Sequence, residues 1–242
     1  MGKWSYPFKV RSYECGPDGR ATMPTVCNYF QEAASLNAEL LGFSKSDLSS
    51  AGANISWVLT RMAVKMDRYP RWEDEVTVET FPRGGRKIVA WRDFTLRSAA
   101  GETLGRASSE WMLIDLATRK IAPVPEKVLA CEDPANEPVL GLEPFTPRLR
   151  FPSDAAAREA GHPFFAQQSH IDLNGHVNNV HYVEWLLEPC ATGCPSELEI
   201  VFRSETLAGD EVRVETASGN GATYHRVFAP DGKDHVLART AF

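Results

Sequence analysis

Asp74-Glu75-Val76-Thr77-Val78-Glu79-Thr80 returns 136 residues later as Asp210-Glu211-Val212-Arg213-Val214-Glu215-Thr216, identical at six of seven positions. Both copies alternate apolar and polar residues, the two-residue period of a half-buried strand. Each is followed by a second candidate strand, Ile88 to Arg97 and Thr223 to Ala229. A turn then leads to a third, through Ala100-Gly101 into Thr103 to Met112 and through Asp231-Gly232 into His235 to Phe242.

Upstream of each strand run lies a candidate helix. Thr25 to Leu41 carries Val26, Phe30, Ala33, Ala34, Leu36 and Leu40 at near-helical spacing, and Val177 to Leu187 carries Val177, Val180, Val183, Trp185 and Leu186. An apolar helix followed by an antiparallel meander must lie across one sheet face, because neither element buries its apolar side alone. Twice over in one chain, this is an α+β pattern and predicts a tandem hot-dog fold. Seven prolines fall between Pro123 and Pro152 without steady periodicity. The expected division is therefore an N-terminal domain over residues 1–135, a linker over 136–152 and a C-terminal domain over 153–242.

Composition narrows the function. The chain has 242 residues, is 43% hydrophobic and carries a net charge of −6, which discourages a nucleic-acid role. No apolar stretch approaches the ~20 residues a membrane-spanning helix needs, and the first ten residues show neither signal-peptide nor transit character, so a cytoplasmic protein is expected. Five irregularly spaced cysteines fit a reducing compartment, and Cys190 and Cys194, the closest pair, lack the second pair a zinc site requires. No metal or cofactor is expected. Between Arg61 and Arg92 the local balance turns positive, with eight basic against five acidic residues, a place for an acidic partner or simply a solvated strand face.

The two halves differ most before their helices. Ser169-His170-Ile171-Asp172-Leu173-Asn174-Gly175-His176-Val177-Asn178-Asn179 is dense in proton-handling groups, whereas Gly19-Arg20-Ala21-Thr22-Met23-Pro24 in the first half has neither His nor carboxylate. Asp172, Asn174 and His176 alternate and would point the same way on an extended segment. His176 would then stand at a helix N-terminus, where the backbone N–H groups of Val177, Asn178 and Asn179 favour developing negative charge. A helix cap formed by Asp172 or Asn174 is the plainer alternative. At the offset of 136, Glu205 falls opposite Tyr69, so this carboxylate too belongs only to the half that holds His176.

With these residues in view, the chain resembles the acyl-acyl carrier protein thioesterases of plants and bacteria, double hot-dog enzymes that release free fatty acids. The resemblance rests on Trp57-Val58-Leu59-Thr60-Arg61-Met62, Asp67-Arg68-Tyr69-Pro70-Arg71-Trp72, Gly101 through Ser109, and Asp172 through Asn179 with Tyr182. It implies that Asp172, Asn174, His176 and Glu205 are catalytic and that the substrate is a fatty acyl chain on the phosphopantetheine of acyl carrier protein. Some members carry Cys after that Glu; here Thr206 stands there, which excludes a thiol nucleophile and favours attack by water. The resemblance further implies an acyl slot in the N-terminal half, with Tyr29, Phe30, Trp57 and Met62 as candidate lining. Carrier docking would then fall on Arg61, Lys65, Arg68, Arg71, Arg83, Arg86 and Lys87. Core packing is the alternative for each of those aromatics. A coenzyme A thioesterase, a hot-dog hydratase or dehydratase, and a non-catalytic acyl-binding module are the rival readings, and the chain is expected to be a monomer or homodimer.

Overall fold

The structure, a computed structural model, describes residues 2–50, 54–133, 135–140, 149–152, 158–190, 194–219 and 221–242. The chain divides into two compact units, Met1–Ala21 with Thr25–Glu143, and Thr22–Pro24 with Pro144–Phe242.

In the first unit β1 (Trp4–Lys9) is followed by helix α1 (Met23–Leu40), the short α2 (Lys45–Ser50), then β2 (Ile55–Met66), β3 (Glu75–Arg86), β4 (Val89–Ser98), β5 (Thr103–Asp115), β6 (Ile121–Ala122) and the short α3 (Glu126–Leu129). The strands run in the order β1-β3-β4-β5-β2, every neighbouring pair antiparallel, with β6 added beside β5. Met23, Thr25, Val26, Cys27, Tyr29, Phe30, Ala33, Ala34 and Asn37 are the buried positions of α1, and Met23, Val26, Phe30, Ala33 and Asn37 recur every three or four residues along one face of the helix. That face lies on the sheet, where Phe30 meets Phe94 of β4 at 5.1 Å between ring centroids. Burying a side chain such as Phe30 contributes roughly 2–3 kcal/mol, and this seam is the first core.

The second unit holds β7 (Arg158–Ala160), β8 (Phe164–Phe165), α4 (Asn179–Leu187), β9 (Glu197–Phe202), β10 (Glu211–Gly219), β11 (Ala222–Phe228) and β12 (Asp234–Ala241). Its order is β9-β12-β11-β10-β7, again antiparallel, with β8 beside β10. Helix α4 buries Val180, Tyr182, Val183, Leu186 and Leu187, and Tyr182 meets Phe202 of β9 edge to face at 6.0 Å. Each unit is thus a helix packed on an antiparallel sheet, as the repeated pattern predicts. Strands β1, β2 and β9 lie outside the repeated stretch, although β1 alternates Trp4, Tyr6 and Phe8 with Ser5, Pro7 and Lys9, and β9 buries Leu198 and Ile200 in alternation with Glu197 and Glu199.

The proline-rich stretch from Pro123 differs from a plain linker, since the first unit runs on to Glu143. Val124, Val128 and Cys131 are buried in a small cluster with Phe43 and Ala90, and the Val139 N–H donates to the carboxylate of fully buried Asp93 at 2.8 Å. Residues 123–139 therefore include packed parts of the first unit. Prolines 144 and 147 of the expected linker lie outside the described residues.

Two buried polar groups mark the cores. Arg92, counted in the basic stretch, is 8% exposed and lies in the first core. It donates to Asn37 Oδ1 (2.6 Å) and Thr80 Oγ1 (3.2 Å), and burial pulls its pKa down to about 10. His225 of β11 is wholly buried, with Nε2 paired to Thr240 Oγ1 at 2.8 Å and Nδ1 without a hydrogen-bond partner, and burial lowers its pKa to about 4. Its folded pKa lies below the ordinary value of 6.5, so the unfolded chain binds the extra proton first as pH falls. Stability from this residue is full above pH ~6.5 and declines toward pH ~4. We expect His225→Leu to shrink the difference in unfolding free energy between pH 7 and pH 4.5 by about 2 kcal/mol, measured by urea denaturation at both pH values.

Candidate active site

Before α4 the chain makes a tight hairpin instead of an extended segment. Ile171 and Val177 bridge antiparallel, the Asp172 N–H donates to the His176 carbonyl (2.9 Å), and the Gly175 N–H donates to the Asp172 carbonyl (3.0 Å). Gly175 closes the turn at φ +81°, a conformation a side chain would strain. The Asp172 carboxylate accepts from the Asn174 N–H (2.7 Å) and faces Asn174 Nδ2 (3.4 Å). Asp172 therefore braces the turn, and it touches His176 only through the backbone. The expectation that Asp172, Asn174 and His176 alternate along an extended strand is corrected by this turn.

Helix α4 begins later than the sequence pattern indicated. Its N-cap is Asn178, whose side chain accepts from the Val180 N–H at 3.0 Å, so neither Asp172 nor Asn174 caps it. The Val177 N–H donates to the Thr206 carbonyl (2.9 Å) and the Asn178 N–H to the His170 carbonyl (2.9 Å). Both were expected as oxyanion donors, and both are spent on backbone partners because the hairpin must close before the helix starts. Asn179 is the first helical residue.

The bond from Val177 to Thr206 brings the end of the β9 segment beside the hairpin. There His176 Nε2 lies 2.9 Å from Glu205 Oε2, with side chains 27% and 41% exposed. A partly exposed imidazole bonded to a carboxylate beside solvent can take and return a proton, the requirement of general acid–base work. Beneath the pair Thr206 is fully buried, and the buried Tyr182 phenol is pushed up to about 12, chiefly by desolvation.

One further group escaped sequence reasoning. His170 accepts the Gln167 N–H on Nδ1 (2.9 Å), its ring stands 4.8 Å from that of His181, and burial lowers its pKa. His181 in turn meets Glu184 at 2.6 Å. The quoted segment contained His170, but only the fold shows that it helps hold the hairpin.

The first unit contains the same loop without the chemistry. Cys15 and Ala21 bridge, the Gly16 N–H donates to the Arg20 carbonyl (2.8 Å), Gly19 turns at φ +73°, and the Ala21 N–H donates to the Pro70 carbonyl (2.8 Å). Bond for bond, Arg20 occupies the place of His176, Asp18 that of Asn174, Gly16 that of Asp172 and Tyr69 that of Glu205. This corrects the view that the first half offers no carboxylate here. Asp18 is present, but it stands 3.5 Å from Arg20 in an exposed pair.

The remaining candidates are scattered through the first unit. Phe30 and Met62 are fully buried, Tyr29 donates to Glu14 (2.7 Å) and stacks on Phe8, and Trp57 donates its indole N–H to the Phe43 carbonyl (2.8 Å). Lys65, Arg68, Arg71, Arg86 and Lys87 are exposed and Arg61 half-buried. Arg68 pairs with Glu102 at 2.7 Å. Arg83 is no docking charge: its side chain is 13% exposed and lies 3.4 Å from the buried Asp93 carboxylate, whose charge it offsets.

A helix on an antiparallel sheet, built twice, is the double hot-dog architecture. This chain belongs to the acyl-ACP thioesterase family. The family's N-terminal domain profile matches residues 2–131 and its C-terminal domain profile residues 154–242. The chain is 36% identical to the chloroplastic palmitoyl-acyl carrier protein thioesterase of Arabidopsis thaliana, over 96% of this chain and 62% of that protein. It is 30% identical to the chloroplastic oleoyl-acyl carrier protein thioesterase of Coriandrum sativum, over 84% of this chain and 57% of that one. The chain thus spans about three fifths of the length of these relatives. Among solved structures, the 12:0-ACP thioesterase from Umbellularia californica superposes with a TM-score of 0.82 at 29% identity, covering 99% of this chain and 96% of that one. An acyl-ACP thioesterase from Bacteroides thetaiotaomicron shares the fold with a TM-score of 0.85 at 24% identity, covering 99% and 97%.

Losing the Asn178 cap leaves the Val180 N–H without its acceptor. Asn178→Ala should cost about 1 kcal/mol of stability, read as a lowered melting temperature by calorimetry.

Proposed function

We propose that this protein hydrolyses the thioester of fatty acyl-acyl carrier protein, giving a free fatty acid and the carrier's thiol. The observation that carries the reading is the His176–Glu205 contact at 2.9 Å, present in the half whose hairpin is otherwise a copy of an inert one. Membership of the acyl-ACP thioesterase family supports the substrate.

In this reading water attacks the thioester carbonyl directly, since Thr206 offers no thiol beside Glu205. The His176–Glu205 pair accepts the water's proton as the C–O bond forms. When the C–S bond breaks, the proton goes to the departing thiolate. Such proton transfer contributes typically a hundred- to ten-thousandfold in rate. With the Val177 and Asn178 N–H groups engaged, the oxyanion is assigned to the Asn174 carboxamide, which also faces Asp172, and a well-placed donor of this kind is worth ~3 kcal/mol. Asp172 acts through the loop backbone, holding Asn174 and the turn that presents His176.

The acyl chain enters the first unit near Phe30 and Met62, and Arg61, Lys65, Arg68, Arg71, Arg86 and Lys87 meet the acidic carrier. A reducing compartment such as the cytoplasm fits the cysteines, none of which is joined in a disulfide. No helix among the described residues is long and apolar enough to cross a membrane.

Purified protein incubated with a panel of acyl-acyl carrier proteins and acyl-coenzyme A esters should release free thiol, read with a thiol reagent, faster from the carrier-protein substrates. Double-bond formation without thiol release would make it a dehydratase. Binding of the acyl carrier without turnover would make it a binding module. His176→Ala and Glu205→Gln should each lower kcat at least ~100-fold with circular dichroism unchanged. Wild-type rates in both would remove the pair from the reaction.

A further inference from the structure

The turn that carries Glu205 is held by a backbone clamp. The His235 carbonyl, at the second residue of β12, accepts the N–H groups of both Arg203 (2.8 Å) and Ser204 (3.3 Å). The first unit makes the same clamp just past the end of β2, where Asp67 (2.9 Å) and Arg68 (3.0 Å) donate to the Leu104 carbonyl. The scaffold therefore forms this turn with a leucine at the accepting residue.

The side chains tell the two turns apart. Leu104 is an apolar core residue, 2% exposed. His235 is 6% exposed, and its Nδ1 lies 2.9 Å from Ser204 Oγ, which stands 3.3 Å from the Asp234 carbonyl. A hydroxyl has one proton to give. With that proton on the Asp234 carbonyl, the imidazole must be the donor, so the network assigns a run from His235 Nδ1–H to Ser204 Oγ–H to the Asp234 oxygen. His235 Nε2 is then a buried lone pair with no hydrogen-bond partner. Burial lowers the imidazole pKa and Lys233 lowers it further, against smaller raising effects of the Ser204 and Glu205 backbone and of Asp210. Arg68, the counterpart of Ser204, reaches outward to Glu102 instead.

A buried ring with an unsatisfied nitrogen is less favourable than the leucine that fills the equivalent place. That cost appears in the half that holds the His176–Glu205 pair, one residue upstream of the carboxylate. We infer that His235 and Ser204 are positioning residues, fixing the turn so that the Glu205 carboxylate meets His176 Nε2. The Val177 to Thr206 bond fixes the other side of Glu205, so the carboxylate is strung between two anchors. The inference rests on the proposed role of that pair.

His235→Leu gives this turn the side chain of its twin. It should melt at the wild-type temperature or above while kcat for acyl-ACP hydrolysis falls at least tenfold and KM stays within about twofold. Ser204→Ala should lose as much, and the double variant no more than either, because both act through one bond. Ser204→Thr keeps the hydroxyl and should restore at least half of the wild-type kcat. A His235→Leu protein with wild-type melting and wild-type kcat overturns the inference. If His235→Leu does not fold, Ser204→Ala decides, and wild-type turnover in it overturns the inference. If the wild-type protein releases no thiol at all, the proposed reaction is at fault, and a crystal structure of Ser204→Ala becomes the test. Separation of His176 from Glu205 then supports positioning, and an unchanged contact refutes it.

Discussion

One backbone hydrogen bond, from the Val177 N–H to the Thr206 carbonyl at 2.9 Å, sets how closely His176 and Glu205 approach. His176 and Glu205 each flank an end of that bond, so fixing it fixes the approach of imidazole to carboxylate. Because the bond is made by main-chain atoms, it is indifferent to the side chains beside it. The first unit makes it too, from Ala21 to Pro70 at 2.8 Å, with Arg20 and Tyr69 at the flanking places. Identical platforms thus carry different side chains, a His and a carboxylate in one unit and Arg20 and Tyr69 in the other.

Polar burial follows a related logic. Arg92 is tolerated in the first core because Asn37 and Thr80 accept from its guanidinium, and Asp93 because Arg83 and the Val139 N–H face its carboxylate. His225 and His235 are less well served, each with one ring nitrogen lacking a partner. A fold selected for stability alone would favour apolar residues at such places. At one clamp the two units differ in this way, with apolar Leu104 in the first and the polar ring of His235 in the second.

Much of this architecture was legible in the order of residues. The strand repeat at an offset of 136, the apolar stripe of α1 and the residues around His176 required no coordinates, since alternation and helical spacing are local consequences of burying one face. The offset also set Glu205, whose carboxylate the structure brings within 2.9 Å of His176, opposite Tyr69. It missed the loop, whose copies lie 156 apart, because α1 runs for 18 residues against 9 in α4 and α2 follows it in the first unit. The comparison of the two stretches before the helices began at Gly19 and so left out Asp18, one residue upstream.

By itself, then, the sequence determined that two like units exist and which of them holds a His and a carboxylate. Those facts are written in periodicity and residue type. Only the tertiary structure decided that the Val177 and Asn178 N–H groups are already used, that Asp172 braces a turn, that Arg83 and Arg92 are withdrawn from the surface, and that His235 stands behind Glu205. Each of these depends on which backbone groups and side chains meet across strands and loops far apart in the chain. Hydrogen-bond partners at long range leave no trace in local spacing.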